Sequence, residues 1–230
     1  MEKKRFEYKD LPKELQEDVI SFYADSTTDH DWHDMVIEGF KEDMKEIGVE
    51  VDKVQFSGFW SQGDGASFTG EVTDLEEFLT KTGMNKNSNL TIDLIEAKEL
   101  SNEIQDFNSP YDQPIYIIFR RISHHYSHEN TCDTDVSGDL GGEDTFIMSE
   151  LGGCDGFTMS IKVSDFLSTL EEMIEKWREK TCNKLYRDLE KEYDYLTSEE
   201  GIVDYIDALG IDFECEVDEE GNPVSILEYQ

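Results

Sequence analysis

The sequence is poor in cysteine, proline and basic residues, and it contains no long apolar run. Its four cysteines, Cys132, Cys154, Cys182 and Cys215, lie far apart and form no C-x-x-C pair. This spacing favours reduced thiols over a disulfide framework or a zinc site. No apolar run approaches the roughly 18 residues of a membrane span, and the first residues carry no apolar signal-peptide segment. We therefore expect a cytoplasmic protein without membrane contact.

Basic residues are the scarcer charged class. Lys and Arg number 20 against 55 Asp and Glu, so the formal net charge is −35. A chain this acidic repels nucleic acid and anionic membrane and attracts basic surfaces. We therefore expect no direct nucleic-acid binding. Two interpretations stay open: the charge only keeps the protein in solution, or it forms a surface for a basic, nucleic-acid-binding partner.

Apolar and aromatic residues are abundant enough for a core, at 37% and 11% of 230 residues. Helical periodicity is clear from Asp31 to Ile47 and from Ser164 to Tyr195, and Ile115–Phe119 is typical of a strand. Strands occur among helices without a regular βαβ alternation. The sequence therefore predicts an α+β fold, with a mostly antiparallel sheet and several packed helices, in a single domain spanning 1–230.

Further boundaries follow from local signals. Asp10, Asp74 and the Thr197-Ser198 pair are expected to cap helices, and Gly48 and Gly210 to end them. We predict a helix over Leu90–Phe107 and a closing hairpin over residues 211–227. The strand that begins at Ile115 is expected to continue to Tyr126. A Gly/Asp-rich loop is expected over Asp133–Asp144, followed by strands over Thr145–Leu151 and Gly156–Val163.

The stretch Phe56–Gly70 reads FSGFWSQGDGASFTG. Alternation of apolar and polar residues predicts a strand up to Trp60, a turn over Ser61–Gly65, and a second strand from Ala66 to Val72. Gly63 and Gly65 are suited to a turn because glycine adopts positive φ readily.

Two interpretations of this hairpin stay open. Its small residues allow neighbouring aromatic rings to pack closely, or they allow a ligand or a partner's backbone to approach. For a binding site, the contact candidates are Trp60, Gln62, Asp64 and Ser67.

The segment His124-His-Tyr-Ser-His128 supplies two further contact candidates, His124 and His128. On a continuous strand these outer imidazoles would stand roughly 13 Å apart, too far to share one ion. The spacing matches no strong zinc pattern, so we expect no metal. Histidines and aspartates also cluster at Thr28–Asp34, where acids near a helix N-terminus are favourable. We interpret that cluster as a helix start.

No catalytic set is recognisable. Cys132, Cys154 and Ser67 lack a nucleophile elbow or a His/acid order. Gly63-x-Gly65 lacks the Lys-Ser/Thr of a phosphate loop, and the intervening Asp64 would repel phosphate. We expect neither a cofactor nor catalytic residues.

Acidic residues are concentrated at the end of the chain, where residues 188–230 contain fifteen acids and one base, Lys191. On a helix, carboxylates at i and i+4 lie about 6 Å apart, which approximates the phosphate spacing along one DNA strand. This ridge could compete with DNA for a basic groove. The candidate partner face consists of Asp188, Glu192, Glu199, Glu200, Asp204, Asp207, Glu214 and Glu216.

Several segments together resemble a widespread family of small phage, prophage and plasmid proteins, sometimes labelled antitoxins. These segments are Phe56–Gly70, Tyr8–Leu15, His124–His128, Leu185–Ser198 and Phe213–Gly221. The chain departs from that pattern at 133–151, where we expect a loop insert. The resemblance implies a phage- or mobile-element-borne protein, acting in the cytoplasm of the host cell, and it supplies no catalytic residues.

Charge and resemblance together suggest a binding protein that inhibits a basic host or toxin protein. It would act as an antitoxin, an anti-defence inhibitor or a DNA mimic. The alternative is a small-ligand or nucleotide-binding module, including an enzyme, with its site near Trp60–Ser67 and His124–His128.

Overall fold

A computed structural model describes residues 2–29, 31–86, 115–123, 125–138 and 154–229, except for the side chains of 154–166. Contacts divide the chain into two compact units. The terminal unit comprises residues 1–36 and 188–230, and the central unit comprises residues 37–187. Helices and two antiparallel sheets confirm the α+β class. The single domain over 1–230 stays a prediction.

Within the described ranges the chain forms five α-helices and seven strands. The helices are α1 (Lys13–Tyr23), α2 (Asp34–Lys45), α3 (Leu75–Lys81), α4 (Cys154–Leu196) and α5 (Glu199–Leu209). The strands are β1 (Lys3–Phe6), β2 (Val49–Phe56), β3 (Ala66–Val72), β4 (Ile115–Arg121), β5 (Cys132–Gly138), β6 (Phe213–Val217) and β7 (Pro223–Glu228). None of the helices in these ranges combines the length and apolarity needed to cross a membrane.

The central unit is built on a four-stranded antiparallel sheet in the order β2-β3-β4-β5. Its core is aromatic. The Phe68 ring lies 5.2 Å from Phe119 and 5.4 Å from Phe40, and Trp177 meets Phe78 edge-on at 4.9 Å. Because aromatic rings bury large apolar areas and prefer such tilted geometries, this cluster fixes the sheet against its helices.

The terminal unit contains a three-stranded antiparallel sheet in the order β1-β6-β7. Val19 and Tyr23 of α1 pack with Ile206 of α5 and with Phe213 and Cys215 of β6, and all five are buried. The helices therefore cover one face of this small sheet.

Local capping signals place several boundaries correctly. Asp74 Oδ1 accepts a hydrogen bond from the Glu77 amide at 2.9 Å, and Ser198 Oγ accepts one from the Gly201 amide at 3.1 Å. Each bond satisfies an amide that the first helical turn leaves unpaired. Gly48 and Gly210 have φ of 77° and 62°, so both expected helix ends are confirmed. The closing hairpin is also confirmed, as β6 and β7.

Other expectations are wrong. Asp10 caps no helix, since it lies in a 3-10 turn over Tyr8–Asp10 and α1 begins after Pro12. Gly156–Val163 is helical and belongs to α4. Its β-branched residues favour a strand only weakly, and that preference is overridden by the long helix.

The loop expected over Asp133–Asp144 is wrong for residues 133–138, which form β5 opposite β4. The strand expected to reach Tyr126 ends at Arg121, and the strand expected to reach Trp60 ends at Phe56. β1 was not expected. The predicted elements Leu90–Phe107 and Thr145–Leu151 lie outside the described residues.

Candidate functional site

The hairpin of the central unit closes through a nine-residue loop, 57–65, rather than a tight turn. Phe56 pairs with Ala66, and the Ser57 amide donates to Gly65 O at 3.1 Å. Asp64 Oδ2 accepts hydrogen bonds from the amides of Trp60 and Ser61 at 3.1 and 2.6 Å. An aspartate that binds nearby amides holds a turn in one conformation. The loop therefore has a defined shape.

Only one of the two turn glycines uses glycine's conformational freedom. Gly63 has φ of 95°, whereas Gly65 is not among the glycines with positive φ. The expectation is therefore confirmed for Gly63 and wrong for Gly65. Gly65 is required for another reason: a Cβ added there would lie 2.6 Å from His128 Cβ.

The aromatic residues of the loop point in different directions. Phe59 packs against Tyr186 of α4 with ring centroids 5.5 Å apart, and the Tyr186 hydroxyl donates to Gly58 O at 3.1 Å. Trp60 is 74% exposed. The loop is therefore anchored to α4 on one side and presents a large aromatic side chain to solvent on the other.

The segment after β4 forms a second turn. Arg121 donates to Ser123 O at 2.5 Å and to Tyr126 O at 2.9 Å. His128 Nδ1 accepts a hydrogen bond from the Asn130 amide at 3.2 Å and thereby caps the short 3-10 turn Glu129–Thr131. Because this segment is not a strand, the 13 Å spacing argument for its histidines does not apply.

The two turns lie side by side. A Cβ on Gly63 would collide with the ring of Tyr126. Ser67 Oγ and Thr131 Oγ1 lie 3.3 Å apart in the interior, although they are 64 residues apart in sequence. Pairing of the strands in the order β2-β3-β4-β5 brings the hairpin loop and the 125–131 segment to one end of the sheet.

Between the two turns lies an open surface pocket of about 480 Å³. Its lining is polar and combines two carboxylates, two carboxamides and two aromatic rings. The Tyr126 and His128 rings are stacked, with centroids 5.7 Å apart and planes at 28°. The pocket is lined by Gln62, Gly63, Asp64, Tyr126, His128, Glu129 and Asn130.

A buried arginine contacts the backbone of one residue that lines this pocket. Arg178 of α4 is 1% exposed, forms an ion pair with Glu175 and donates to the backbone carbonyl of Glu129. Glu175 in turn accepts from Thr134 Oγ1 at 2.7 Å. The hydrogen bond from Arg178 lowers the pKa of the Glu175 carboxyl. This network fixes the Glu129–Thr131 turn against the sheet.

Burial disfavours the thiolate form of the two nearby thiols. Cys132 Sγ donates to Phe68 O at 2.9 Å, and burial raises the pKa of this thiol. Burial also raises the pKa of Cys182 to about 12. Because the reactive form of cysteine is the thiolate, these surroundings disfavour a nucleophilic role for either side chain.

Three of the six contact candidates line the pocket together: Gln62, Asp64 and His128. Trp60 is exposed but does not line it, and Ser67 is fully buried. His124 lies outside the described residues.

Two other lining residues, Gly63 and Tyr126, fall within the expected site ranges Trp60–Ser67 and His124–His128 but were not named as contacts, and Glu129 and Asn130 were not anticipated. Tyr126 lies within the histidine segment, and Glu129 and Asn130 directly follow it. The polar residues that continue beyond His128 were the sequence signal that could have indicated Glu129 and Asn130.

The acidic face of the terminal unit has two parts. Its helical part includes Glu199 and Glu200 in the first turn of α5 and Asp207 in its last turn, all exposed. Among the described residues these three form no ion pair. Asp204 is also exposed and accepts a hydrogen bond from the Tyr195 hydroxyl at 2.5 Å.

The four other positions differ in their surroundings. Asp188 Oδ1 lies 3.5 Å from Lys191 Nζ, and Glu192 is half-buried on α4. Strand β1 places Arg5 opposite Glu214 and Lys3 opposite Glu216. The negative charge of the closing strand is therefore partly offset by the basic residues of β1. The sequence did not predict this, because it did not predict β1.

Metal-ligand geometry is not evident in the parts of the chain that the structure describes. Those residues contain no group of three or more His, Cys, Asp or Glu side chains placed to hold an ion. His128 Nδ1 already accepts a backbone hydrogen bond. The absence of metal stays a prediction.

Comparison with known families finds one match. The profile of DUF8835, described as a domain of unknown function, matches residues 32–199. All seven pocket residues lie in this range, whereas the acidic face lies in it only as far as Glu199. No curated protein and no solved structure gives a significant match.

Proposed function

Because the chain belongs to the DUF8835 family, whose function is unknown, we propose from its charge and surface geometry that it acts by binding a basic protein. The proposed partner is a host-defence, toxin or nucleic-acid-binding protein, and the binding surface is the acidic face of the terminal unit. The resemblance to phage and plasmid proteins suggests an antitoxin or anti-defence role, with DNA mimicry as the means of competition.

The observation that carries this proposal is the exposed acidic charge of α5. Glu199, Glu200 and Asp207 are exposed and form no ion pair among the described residues. The summed field of such residues attracts a basic surface and raises its association rate. Glu214 contributes less, because its carboxylate lies 3.9 Å from Lys3 Nζ of β1.

Asp207 separates a binding role from a purely structural one. The C-terminal turn of a helix carries partial negative charge, so an acid there is unfavourable. Glu199 and Glu200, in contrast, stabilise the N-terminal turn. The charge of Asp207 is therefore unfavourable for its own helix, although it also attracts Lys9. This makes Asp207 the residue of α5 at which a binding role is most readily separated from helix stability.

The test compares two variants that lose the same charge. The first is Glu199→Gln/Glu200→Gln/Asp207→Asn in the terminal unit, and the matched control is Glu42→Gln/Glu71→Gln/Glu171→Gln, at exposed positions of the central unit. The probe is a fluorescent Lys/Arg-rich peptide, together with competition against duplex DNA for a purified basic DNA-binding protein. Association rates are measured at about 50 and 300 mM salt.

We expect the first variant to associate more slowly and with a weaker salt dependence than the control. Equal rates for the two variants would contradict the proposal, because binding would then depend on net charge rather than on this face.

A second candidate function is a small-ligand-binding module in the central unit. The observation that favours it is the convergence of the 57–65 loop and the 125–131 segment around one pocket. Asp64 and Glu129 make that pocket negative, so a phosphate-bearing ligand such as a nucleotide is disfavoured.

A further inference from the structure

The pocket between the two turns is electrostatically one-sided. Asp64 and Glu129 contribute carboxylates, and none of its lining residues is a Lys or Arg. The nearest guanidinium groups are engaged in the structure: Arg121 with the carbonyls of Ser123 and Tyr126, and Arg178 with Glu175 and the Glu129 carbonyl. Among the described residues that line the pocket, none therefore presents a fixed positive charge to a ligand.

His128 is partly engaged within the turn that it caps. Its Nδ1 accepts a hydrogen bond from the Asn130 amide at 3.2 Å, so this ring nitrogen is occupied and a ligand can meet only the rest of the ring.

Aromatic surface completes the pocket. Tyr126 is 53% exposed and stacks on His128, so part of its ring surface is open to a ligand. The faces of aromatic rings carry partial negative charge and attract ammonium and guanidinium groups. Gly63, whose Cβ would collide with the Tyr126 ring, allows the loop to lie directly against it.

The remaining lining groups are carboxamides. Gln62 and Asn130 each carry an oxygen that can accept a hydrogen bond, and Asn130 Nδ2 already donates to Glu129 Oε1 at 3.2 Å. Acceptor oxygens, two carboxylates and an aromatic face suit a ligand group with several N–H donors and a positive charge.

From this arrangement we propose that the pocket binds an alkylammonium or guanidinium group, held by the carboxylates of Asp64 and Glu129 and packed against the Tyr126 ring. The inference depends on the second candidate function, the pocket as a binding site, and is independent of the acidic face. The group could belong to a free amine or amino acid, or to a Lys or Arg side chain of a protein partner.

The experiment uses matched probes on the full chain. Free arginine, a Gly/Ser peptide with one central arginine, and the same peptide with citrulline are titrated at about 150 mM salt. Citrulline retains the shape of arginine but has no charge. Binding is followed by NMR through the backbone amides of Gly63 and Asn130.

Two variants test the carboxylates. Glu129→Gln keeps an oxygen that can accept from Asn130, and Asp64→Asn keeps one that can accept from the loop amides. The control is Glu71→Gln, an exposed strand position that does not line the pocket. Tyr126→Phe and Tyr126→Ala together separate the ring face from the hydroxyl.

We expect saturable shifts with arginine and affinity roughly tenfold lower for citrulline, since citrulline cannot form charge-assisted hydrogen bonds with the two carboxylates. Glu129→Gln and Asp64→Asn should each weaken binding about tenfold, and Glu71→Gln should leave it unchanged. Tyr126→Phe should retain affinity, and Tyr126→Ala should lower it about threefold.

Binding of both free arginine and the arginine peptide would support the proposal, and preference for one of them would identify the source of the group. Equal affinity for arginine and citrulline would refute recognition of a positive charge, although it would still show that the pocket binds a ligand. Absence of saturable shifts with every probe would overturn the pocket as a site. Shifts that persist in Glu129→Gln would show diffuse counterion binding and would also overturn the proposal.

Discussion

Gly65 lies directly against His128, so closely that a Cβ on Gly65 would stand 2.6 Å from His128 Cβ and 3.1 Å from His128 N. This approach of two backbones joins the hairpin loop to the turn after β4. It explains how segments more than sixty residues apart form one pocket.

The first prediction is that Gly65→Val destabilises the central unit. The new side chain would force the 125–131 turn away from the loop, and overpacking of this kind costs about 1–3 kcal/mol, occasionally more. Urea unfolding measures the change in the free energy of unfolding. The reason is contact rather than backbone strain, because Gly65 does not have a positive φ.

Gly39→Ala is the control for that measurement. Gly39 is exposed within α2, and a Cβ there would meet nothing within 4 Å. Replacing a helical glycine with alanine should stabilise by about 0.5–1 kcal/mol. An unchanged free energy of unfolding in Gly65→Val, with the expected gain in Gly39→Ala, would refute close packing at Gly65.

The second prediction concerns acid stability through Glu175. Its pKa is lowered from 4.5, first by the hydrogen bond from Arg178. Because the folded pKa lies below the unfolded one, the ion pair stabilises fully above the ordinary glutamate value. That contribution is lost as the pH falls through the lowered pKa.

Glu175→Gln should therefore reduce the free energy of unfolding at pH 7, and its difference from the parent should narrow as the solution is acidified towards pH 3. The matched control is Glu172→Gln, because Glu172 forms an exposed pair with Lys176 on the same helix. That pair should contribute little at any pH. Parallel stability curves for parent and Glu175→Gln would show that the network does not act through charge.

The third prediction is that the purified protein carries less than one equivalent of zinc by elemental analysis. His128→Ala should cost about 0.5–1 kcal/mol through loss of the cap on the Glu129–Thr131 turn. His128→Asn should recover part of this loss, since its side-chain oxygen can accept from the same amide. Stoichiometric zinc, removed by His128→Ala and by His128→Asn alike, would make the pocket a metal site.

Local signals predicted those parts of the fold that local chemistry determines. The caps at Asp74 and Ser198 and the ends at Gly48 and Gly210 each depend on one side chain and its nearest turn. Asp10 presents a similar signal but fails, because Pro12 follows and the chain first makes a 3-10 turn.

Strand β1 was not predicted, because it depends on pairing with a distant strand. β1 is a charged tetrapeptide, Lys-Lys-Arg-Phe, with little strand character of its own. It pairs with β6, where Glu214 and Glu216 lie opposite Arg5 and Lys3. Cross-strand charge pairs of this kind stabilise a sheet, but they become visible only when both strands are known.

The pocket shows the same division. The sequence placed one alternative site near Trp60–Ser67 and His124–His128, and it named Gln62, Asp64 and His128. It did not show how the two segments meet, because that depends on the contact between Ser67 and Thr131 and on the hydrogen bond from Arg178 to the Glu129 carbonyl. Residues that act only through such long-range contacts leave no recognisable signal in the local sequence.

The last prediction separates charge that stabilises α5 from charge that binds a partner. Glu199 lies in the first turn of this helix and Asp207 in its last turn. Glu199→Gln and Asp207→Asn remove the same charge, so both relieve the self-repulsion of a −35 chain by a similar amount. Their effects on the helix dipole have opposite signs.

Glu199→Gln should therefore lower the free energy of unfolding relative to Asp207→Asn, with a difference of about 0.6–2 kcal/mol when the two dipole effects are combined. If the acidic face binds a basic partner, both variants should nevertheless slow association with the Lys/Arg-rich peptide, because steering depends on the field and not on helix stability. Thermal unfolding and stopped-flow association give the two measurements. Equal stabilities would refute the dipole argument for Asp207. If both variants bind the peptide at an unchanged rate and still differ in stability as expected, these acids act only in the fold. The pocket beside Tyr126 would then be the better candidate for a binding surface.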